Sequence, residues 1–280
     1  MIGKTPDSLG TLQTQRFLRL NHLRHRQALQ RLATGHRIHS AADDPAGLIA
    51  AQRLSASLAA LEAEARSVER TRAIAATADA ALAETSSLLV EARRLAVANS
   101  DSSLSDAERA ANQAQIDSIV ASVDRIANTT QFNGRKLLDG SLTLTVTGAS
   151  QPVPSAGSGA IGRRQIEGTT FTLAAIRTGG ELASNRNRGQ DTVAVIDQAI
   201  ADVASSRARI GAFTRNVLDT RANSLSVAIE NLSAAESVIR DSDFALESAA
   251  RVRSELLSSA GIRALRWSFA RQRRVLSLLA

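Results

Sequence analysis

The 280-residue sequence contains no cysteine, no tyrosine, one tryptophan and six phenylalanines. The absence of cysteine excludes disulfide bonds, thiolate metal sites and thiol nucleophiles. The scarcity of aromatic residues argues against a deep ligand pocket, because such pockets are mostly lined by aromatic and other apolar side chains. The apolar content comes instead mainly from Ala, Leu, Ile and Val, a mixture typical of long helices that pack through narrow stripes.

Long hydrophobic runs are also missing. No stretch approaches about 20 consecutive apolar residues, so we expect no transmembrane helix and no membrane insertion. The first 27 residues lack the uninterrupted apolar segment of a cleaved signal peptide, and we expect none. If the protein leaves the cell, its export must therefore use another kind of signal.

Acidic residues are nearly absent from the two ends of the chain. Residues 1–40 contain seven Lys or Arg and one Asp, and residues 261–280 contain five Arg and no acid, in a chain of net charge +7. Clustered Arg can neutralise nucleic-acid phosphates. A basic helix with apolar residues on its other face can lie on an anionic membrane. A basic amphipathic membrane- or nucleic-acid-binding protein is therefore a distant alternative, although no nucleic-acid motif supports it and no nucleic-acid partner is expected.

A seven-residue repeat of apolar residues begins in the first third of the chain. Its members are Leu54, Leu61, Val68, Ala75, Leu82, Leu89 and Ala96. A sustained period of seven is typical of a helix packed along a supercoiled seam. It predicts a helix from about residue 44 to 99. A second helix is predicted over 105–129, where Ser105 and Glu108 have the spacing of a capping box.

The middle of the chain changes character. Asn133-Gly134 is a strong turn signal. Alternating apolar and Thr residues predict strands at SLTLTVTG (141–148) and TTFTLAAI (169–176). From about residue 191 the helical period returns, and it slips by one residue between Val217 and Leu225. A last helix is predicted over 243–278.

The predicted order of elements is nearly mirror-symmetric, with long helices at both ends and a β-rich segment between them. Long helices with narrow apolar stripes gain most of their stability by packing on each other. We therefore predict a mainly α fold: a long-helix rod or coiled-coil bundle formed from both chain ends, with a small β-hairpin insert.

Four motifs, in this order along the chain, resemble bacterial flagellin, the subunit of the flagellar filament. They are RLATGHRIHSAADDPAGL, NTTQFNGRKLLDG, AIENLSAAESVIRDSDFA and VLSLLA. The resemblance covers nearly the whole chain outside 141–190. It implies an inner terminal coiled-coil domain from 1–41 with 239–280, and a rod domain from 42–238 with 141–190 as a β-rich insert at its distal end. The chain resembles a minimal flagellin without large outer domains.

The function that this resemblance implies is structural. It implies a secreted subunit that polymerises into the extracellular filament for bacterial motility. The hook–filament junction protein, a hook-associated protein, shares the DDP sequence near its first joint and is the alternative. The motifs QFNGRKLL and VLSLL favour flagellin.

The segment TGHRIHSAADDPAG corresponds to the joint between the two domains. Pro45 suits a helix start, and Asp44 is the expected N-cap. Because family subunit contacts fall here, Arg31, Asp43 and Asp44 are candidates for intersubunit salt bridges, with Pro45 and Gly47 in the same joint.

The resemblance also implies partners. These are other copies of the subunit, a flagellar export chaperone, the filament cap and the hook-associated proteins, with export through the flagellar type III channel. The terminal residues predicted to contact the polymer or the chaperone are Val275, Leu276, Leu278 and Leu279.

The family's innate-immune receptor site corresponds to LLVEARRLAV (88–97), and the candidate receptor surface consists of Arg93, Leu95 and Gln115. Glu91 stands where receptor-active members carry Arg, and Gln115 stands where they carry Glu. We therefore expect weak receptor activation or none.

No catalytic constellation is found. The histidines form two pairs, His22 with His25 and His36 with His39, each among Arg residues that would repel a metal cation. The sequence has no HExxH, P-loop or GxSxG motif. We expect no enzymatic activity, no cofactor and no metal.

Overall fold

The computed structural model describes residues 6–101, 103–183 and 188–279, with side chains between residues 10 and 270 of those ranges. The chain is 73% helical, which confirms the predicted mainly α class. The helices described are α1 (Pro6–Thr34), α2 (Pro45–Asn99), α3 (Asp106–Thr129), α4 (Gly189–Phe213), α5 (Asp219–Arg240) and α6 (Phe244–Leu279). A 3-10 helix spans Leu173–Ile176, and a π-helical turn, Thr214–Leu218, joins α4 to α5.

Six short strands form three separate antiparallel hairpins. The strands are β1 (Gln131–Phe132), β2 (Arg135–Lys136), β3 (Thr143–Val146), β4 (Ala149–Pro152), β5 (Arg164–Ile166) and β6 (Thr169–Phe171). β1 pairs with β2, β3 with β4, and β5 with β6. The small β-hairpin content that was predicted is therefore confirmed, although no strand was predicted at β4 or β5, and only the turn was predicted between β1 and β2.

The chain divides into two compact units, which we describe separately. The terminal unit consists of Met1–Ala60 with Ile229–Ala280, and the central unit is Leu61–Ala228. The predicted domain boundaries, at 41/42 and 238/239, rest on family resemblance and remain a prediction.

The hydrophobic core lies in the central unit. The repeat positions Val68, Ala75, Leu82, Leu89 and Ala96 of α2 are all buried, as the seven-residue period predicts. They pack with buried residues of α3, α4 and the hairpins in one cluster. At the start of α3, the predicted capping box of Ser105 and Glu108 is present in both directions, which confirms that helix start.

The slip in the helical period coincides with the π-helical turn. Val217 and Leu225 are eight residues apart instead of seven. The π turn, closed by a bond from the Asp219 N–H to the Thr214 carbonyl, accommodates the additional residue. As a result, both Leu218 and Leu225 remain buried in the core.

The described part of the segment 141–190 lies along the side of α3, and its position at the distal end of the rod remains a prediction. Its Ser158 N–H and hydroxyl donate to Asp124 near the end of α3, at 2.8 and 2.9 Å. Further along the segment, the Ile176 carbonyl accepts from Gln113 near the start of α3, at 2.7 Å. The segment lies flat because its apolar side chains complete the core.

The second predicted strand is only half correct. Residues 169–171 form β6, but Leu173–Ile176 is a 3-10 helix. Leu173 and Ile176 are both fully buried. Since side chains three apart align in a 3-10 helix, this conformation directs both into the core. A continued strand would have placed them on opposite faces.

Helix α2 is long and apolar enough to cross a membrane by length and composition alone, with an 18-residue window of mean hydropathy 1.3. This finding differs from the expectation that no segment would qualify. Core helices of soluble proteins pass the same test, and α2 supplies Leu82, Leu89 and Leu95 to the buried cluster.

Candidate functional site: the terminal helix pair and its joints

Helices α1 and α6 pack on each other in the terminal unit, and we call them the terminal helix pair. Arg31 Nη1 lies 2.8 Å from Glu247 Oε1. Ten residues earlier on α1, Asn21 Nδ2 donates to the Ser254 carbonyl at 2.5 Å and to Ser258 Oγ at 2.8 Å. As residue numbers fall along α1 they rise along α6, so the two helices are antiparallel.

The seam between the two helices is polar. Asn21, Glu247 and Ser254 are each at most 5% exposed, and His25 Nδ1 lies 3.0 Å from Ser254 Oγ. Among the described residues of the pair, Ala28 is the buried apolar side chain. Close contact relies on small residues, since a Cβ on Gly261 would lie 2.8 Å from Leu18 Cδ2.

Most of the large apolar side chains described in the pair point to solvent. Leu256 is 64% exposed and Trp267 is 82% exposed. The other exposed members are Leu12, Phe17, Leu20, Leu23, Leu29, Phe244, Leu246, Val252, Leu257, Ile262 and Phe269. Contiguous exposed apolar surface of this kind is rare on a monomer and marks an interaction surface.

Arginines accompany these apolar residues. The guanidinium groups of several have no hydrogen-bonded or ionic partner within the part of the chain that the structure describes. They are Arg16, Arg19, Arg24, Arg26, Arg251, Arg253, Arg263 and Arg266. The outer surface of the terminal helix pair is therefore both apolar and strongly cationic.

The first joint connects α1 to α2. Asp43 Oδ2 accepts bonds from the N–H of His39, from the N–H of Ser40 and from the Ser40 hydroxyl, at 2.9–3.1 Å. The N–H groups of Ser40 and then His39 hold the pKa of Asp43 below its ordinary value of 3.8. The carboxylate thereby fixes the turn of the joint.

Asp44 and its neighbours start α2 as predicted. Asp44 Oδ1 accepts from the Gly47 N–H at 2.9 Å, which confirms the N-cap, and Pro45 is the first helical residue. A Cβ on Gly47 would overlap the Asp44 carboxylate and lie 2.8 Å from Ile38 Cδ1. Glycine at 47 is therefore required by the cap itself.

A second joint, between α5 and α6, pairs with the first. The Arg37 N–H donates to the Arg240 carbonyl at 2.6 Å, and the Ser242 N–H donates to the Gly35 carbonyl at 2.8 Å. These bonds surround an isolated β-bridge between His36 and Asp241. The backbone of one joint therefore holds the backbone of the other.

The predicted contact residues of the first joint are all engaged within this chain. Arg31 pairs with Glu247, Asp43 with Ser40, and Asp44 with the helix start. Their role as intersubunit salt bridges remains a prediction.

The predicted turn at Asn133-Gly134 closes the β1–β2 hairpin. Both residues have positive φ, 49° and 78°, as a two-residue hairpin turn of this type requires. The turn is exposed, beside a shallow groove of α2 that includes Arg70.

The candidate receptor residues do not share one surface. Leu95 is only 2% exposed, so its assignment to a receptor surface is wrong: it belongs to the apolar face of α2 that fills the core. Arg93 is half-exposed and pairs with Asp197 of α4 at 2.5 Å. Gln115 is exposed on α3.

The terminal residues predicted to contact the polymer or the chaperone follow the described side chains. Val275, Leu276, Leu278 and Leu279 lie within the bounds of α6, but their side chains are outside the described residues.

Ion pairs between α2 and the α4–α5 helices were not predicted. Arg207 contacts Asp79 at 2.9 Å, and Arg72 pairs with Asp219. In the sequence, Arg72 and Asp79 interrupt a second apolar row of α2. This interruption is the signal that could have identified them as partners of facing helices.

A further pair joins Arg221 of α5 to Glu64 of α2, at 2.7 Å. The Arg221 guanidinium, followed by the Thr147 hydroxyl, holds the pKa of Glu64 below its ordinary value of 4.5. Thr147 belongs to the β3–β4 turn, so this carboxylate connects three elements of the central unit.

The two histidines of the first joint lie near each other. His36 and His39 have ring centroids 6.4 Å apart, and His39 Nε2 lies 2.6 Å from the Thr34 hydroxyl. No group of three or more His, Cys, Asp or Glu residues is arranged to hold a metal ion in the part of the chain that is described.

Comparison with known proteins gives matches over most of the chain. Residues 8–143 match the family model of the bacterial flagellin N-terminal helical region, and residues 193–279 match that of the C-terminal helical region. Flagellin of Bacillus subtilis strain 168 is 30% identical, over 97% of this chain and 98% of its own. The 31.3 kDa flagellar filament core protein of Treponema maltophilum is 29% identical, with the same coverage.

A solved structure also resembles this chain. It is described as a flagellar hook-associated protein of Vibrio parahaemolyticus, and the chain matches 99% of it with 71% of its own length, at a TM-score of 0.60. At 17% identity, this match concerns the fold alone.

Proposed function

The chain belongs to the bacterial flagellin family and is a structural subunit of the flagellar filament, not an enzyme, and we propose that its terminal helix pair is the assembly surface. The hook–filament junction alternative is not favoured, because relatives matched over nearly the whole chain are flagellins and filament core proteins.

One observation carries the proposal: the terminal helix pair has a polar seam and an apolar outer surface. An isolated helix pair with this arrangement leaves most of its apolar area in water. Equivalent helix pairs of neighbouring copies supply the missing cover. In this reading, 1–41 with 239–280 are the inner domain that assembles, and 42–238 are the rod domain with the 141–190 insert.

The two joints connect the assembling domain to the rod. Asp43, Asp44, Pro45 and Gly47 set the direction in which α2 leaves the first joint. Arg31 and the two aspartates make their intersubunit contacts in addition to the bonds within the chain, because a carboxylate can accept several bonds at once and a guanidinium has five N–H donors.

The exposed apolar surface of the terminal helix pair also bears on how the subunit is exported. An unassembled helix pair with exposed Leu and Trp is prone to aggregate, so a chaperone must cover it before export. We assign the chaperone contact to Val275, Leu276, Leu278 and Leu279, and we propose export to the outside through the type III channel. The filament cap and hook-associated proteins then meet the same ends of the chain.

Fewer residues remain as candidates for a receptor-binding surface than the sequence predicted. With Leu95 in the core, Arg93 and Gln115 remain as surface candidates, and Arg93 is engaged by Asp197. We propose weak activation of the innate receptor or none.

The first experiment compares filament growth of three purified chains by negative-stain electron microscopy. They are the full chain, a chain that ends at Val238, and the full chain with Leu256→Gln and Trp267→Gln. Filaments are expected from the full chain only. All of these changes lie outside the central unit, so the central unit should unfold at an unchanged temperature in all three chains.

A matched control is Glu255→Gln, an exposed polar change on the same helix, which should assemble like the parent. Equal filament yield from the parent and the Leu256→Gln, Trp267→Gln chain would contradict the proposed assembly surface.

A further inference from the structure

The polar seam of the terminal helix pair has a role of its own. We propose that Asn21, together with Ser254, Ser258 and the Arg31–Glu247 pair, determines the register in which α1 packs on α6 during assembly. The inference rests on the proposed function, because it concerns the helix pair that assembles. Asn21 is the central contact, since its amide donates to two positions of the opposite helix.

The apolar residues of the pair set this register only weakly. Most large apolar side chains lie on the outer surface, Ala28 is the buried apolar residue among those described, and Leu18 is the large side chain that lies against Gly261. A seam built from small side chains lacks the interlocking knobs and holes that align most coiled coils. Two such helices can slide by one seven-residue repeat and still present similar surfaces to each other.

Sliding is instead opposed by the buried polar groups. In the observed register, Asn21 meets Ser254 and Ser258, and Arg31 meets Glu247. A slide of one heptad toward the end of α6 would place Asn21 opposite Gly261 and Leu265, neither of which offers a side-chain acceptor. A buried amide without its side-chain bond is unfavourable, so this alignment is rejected. The opposite slide would bring Asn21 to Glu247 and Arg251.

The charged pair adds to this selection. The slide toward the end of α6 would place Arg31 opposite Ser254, and Glu247, which is 5% exposed, would lose its partner. The opposite slide would place Arg31 opposite Arg240, a like charge, although Glu247 would then face Arg24. Removing one partner of a buried ion pair is strongly unfavourable, whereas replacing polar groups by apolar ones is often tolerated. The polar seam therefore contributes more to the choice of alignment than to the stability of the helix pair.

The test must therefore distinguish a change of register from a loss of pairing between α1 and α6. Asn21→Leu should leave the helices paired but should allow more than one register, as a polar residue at a core position of a coiled coil specifies register at a cost in stability. A residue that only stabilised the pair would lower the amount of pairing without changing its alignment.

The chain has no cysteine, so introduced cysteine pairs report register directly. Leu18→Cys with Gly261→Cys reports the observed register, because these positions are in contact across the seam. Leu18→Cys with Ser268→Cys reports a slide of one heptad. Each double-cysteine chain is copolymerised as a minority with the cysteine-free parent, so that disulfides form within one subunit. The yield after mild oxidation is read by mass spectrometry.

With Asn21 present, we expect the Leu18–Gly261 disulfide and only background from the slid pair. With Asn21→Leu, the slid disulfide should rise to a yield comparable with that of the native one. Ser258→Leu, which removes an acceptor from the opposite helix, should act in the same direction. His22→Leu is the matched control, since His22 is adjacent, exposed and outside the seam.

Two failures are distinguishable. Filaments in which both the Asn21→Leu and the His22→Leu chains give only the native disulfide would overturn the register role and leave the proposed function intact. Absence of filaments from the parent chain itself would overturn the proposed function.

Discussion

The two compact units use similar helices in opposite ways. Among the described residues, the terminal unit has three buried apolar side chains, Ala28, Ile38 and Ala51, and fifteen large exposed ones. The central unit exposes three large ones, Val90, Val97 and Val227, and holds the whole buried cluster. The central unit is therefore complete as a folded body, whereas the terminal unit needs further chains to cover its surface.

The largest expected effect comes from a deletion that changes which side chains of a central-unit helix face the core. Deletion of Ser205 would rotate the following residues of α4 by about 100° and turn Ile210 and Phe213 out of the core. Losing each of these contacts costs about 2–5 kcal/mol. Circular dichroism should show a large fall in the unfolding temperature.

Deletion of Asn216, inside the π turn, is the matched control. The turn holds one residue more than an α-helix needs, so its loss should convert the turn to α-helix and keep Leu225 buried. An unfolding temperature as low as that of the Ser205 deletion would contradict the role of the π turn.

A smaller effect separates buried from exposed leucines. Leu89→Ala, at 0% exposure in the central unit, should lower the free energy of unfolding by about 2–5 kcal/mol. Leu23→Ala, at 54% exposure in the terminal unit, should change it by no more than about 0.5 kcal/mol. Leu23→Ala should nevertheless reduce filament yield. If Leu23→Ala assembled like the parent, Leu23 would lie outside the assembly surface.

Salt should affect the two units differently. The arginines without partners on the terminal helix pair repel those of neighbouring copies, and screening shortens the range of this repulsion from about 30 Å at 0.01 M salt to about 8 Å at 0.15 M. Filament yield, measured by sedimentation, should rise over this range. The unfolding temperature of the central unit should change little. Equal yields at low and high salt would show that the arginines are neutralised in the filament.

The smallest predicted effect concerns the Glu64–Arg221 pair of the central unit. Because the pKa of Glu64 in the folded protein is below 4.5, its contribution to stability is present above that pH and is lost as the pH falls through the folded value. Glu64→Gln should therefore cost up to about 1 kcal/mol at neutral pH, and this cost should disappear as the pH falls through the folded pKa of Glu64. Urea unfolding measures both.

Glu62→Gln is the control for that experiment, since Glu62 meets only Arg66 of its own helix, at 3.7 Å. It should have less effect than Glu64→Gln at neutral pH. A Glu64→Gln cost that persisted below the folded pKa would show that the carboxylate acts through packing and not through charge.

Much of the fold follows from the sequence because helical periodicity is a strong signal. The repeat from Leu54 to Ala96 placed α2, the caps at Asp44 and Ser105 placed two helix starts, and the slip after Val217 coincides with the π turn. The strands β4 and β5 were not predicted because they are short and mostly polar, without an alternating pattern.

Less of the candidate site could be predicted from the sequence. Asn21 and Ser254 have no distinctive spacing, and polar residues in a helix usually face solvent, so nothing marked them as buried. Leu95 belongs both to the segment that resembles the family's receptor site and to the apolar face of α2. Its burial shows that it packs with the apolar face. Which face of α1 meets α6 depends on packing between distant segments, and a local pattern does not contain that information.

The bond between Asn21 and Ser258 joins positions 237 residues apart. Bringing such distant points together carries an entropic cost that grows only with the logarithm of the intervening length, about 0.6 kcal/mol for each doubling of a flexible chain. Closure of the two ends is therefore almost indifferent to how much polypeptide lies between them. The same ends could enclose a far larger middle, so residues inserted at the exposed β3–β4 turn would not change how the termini pair.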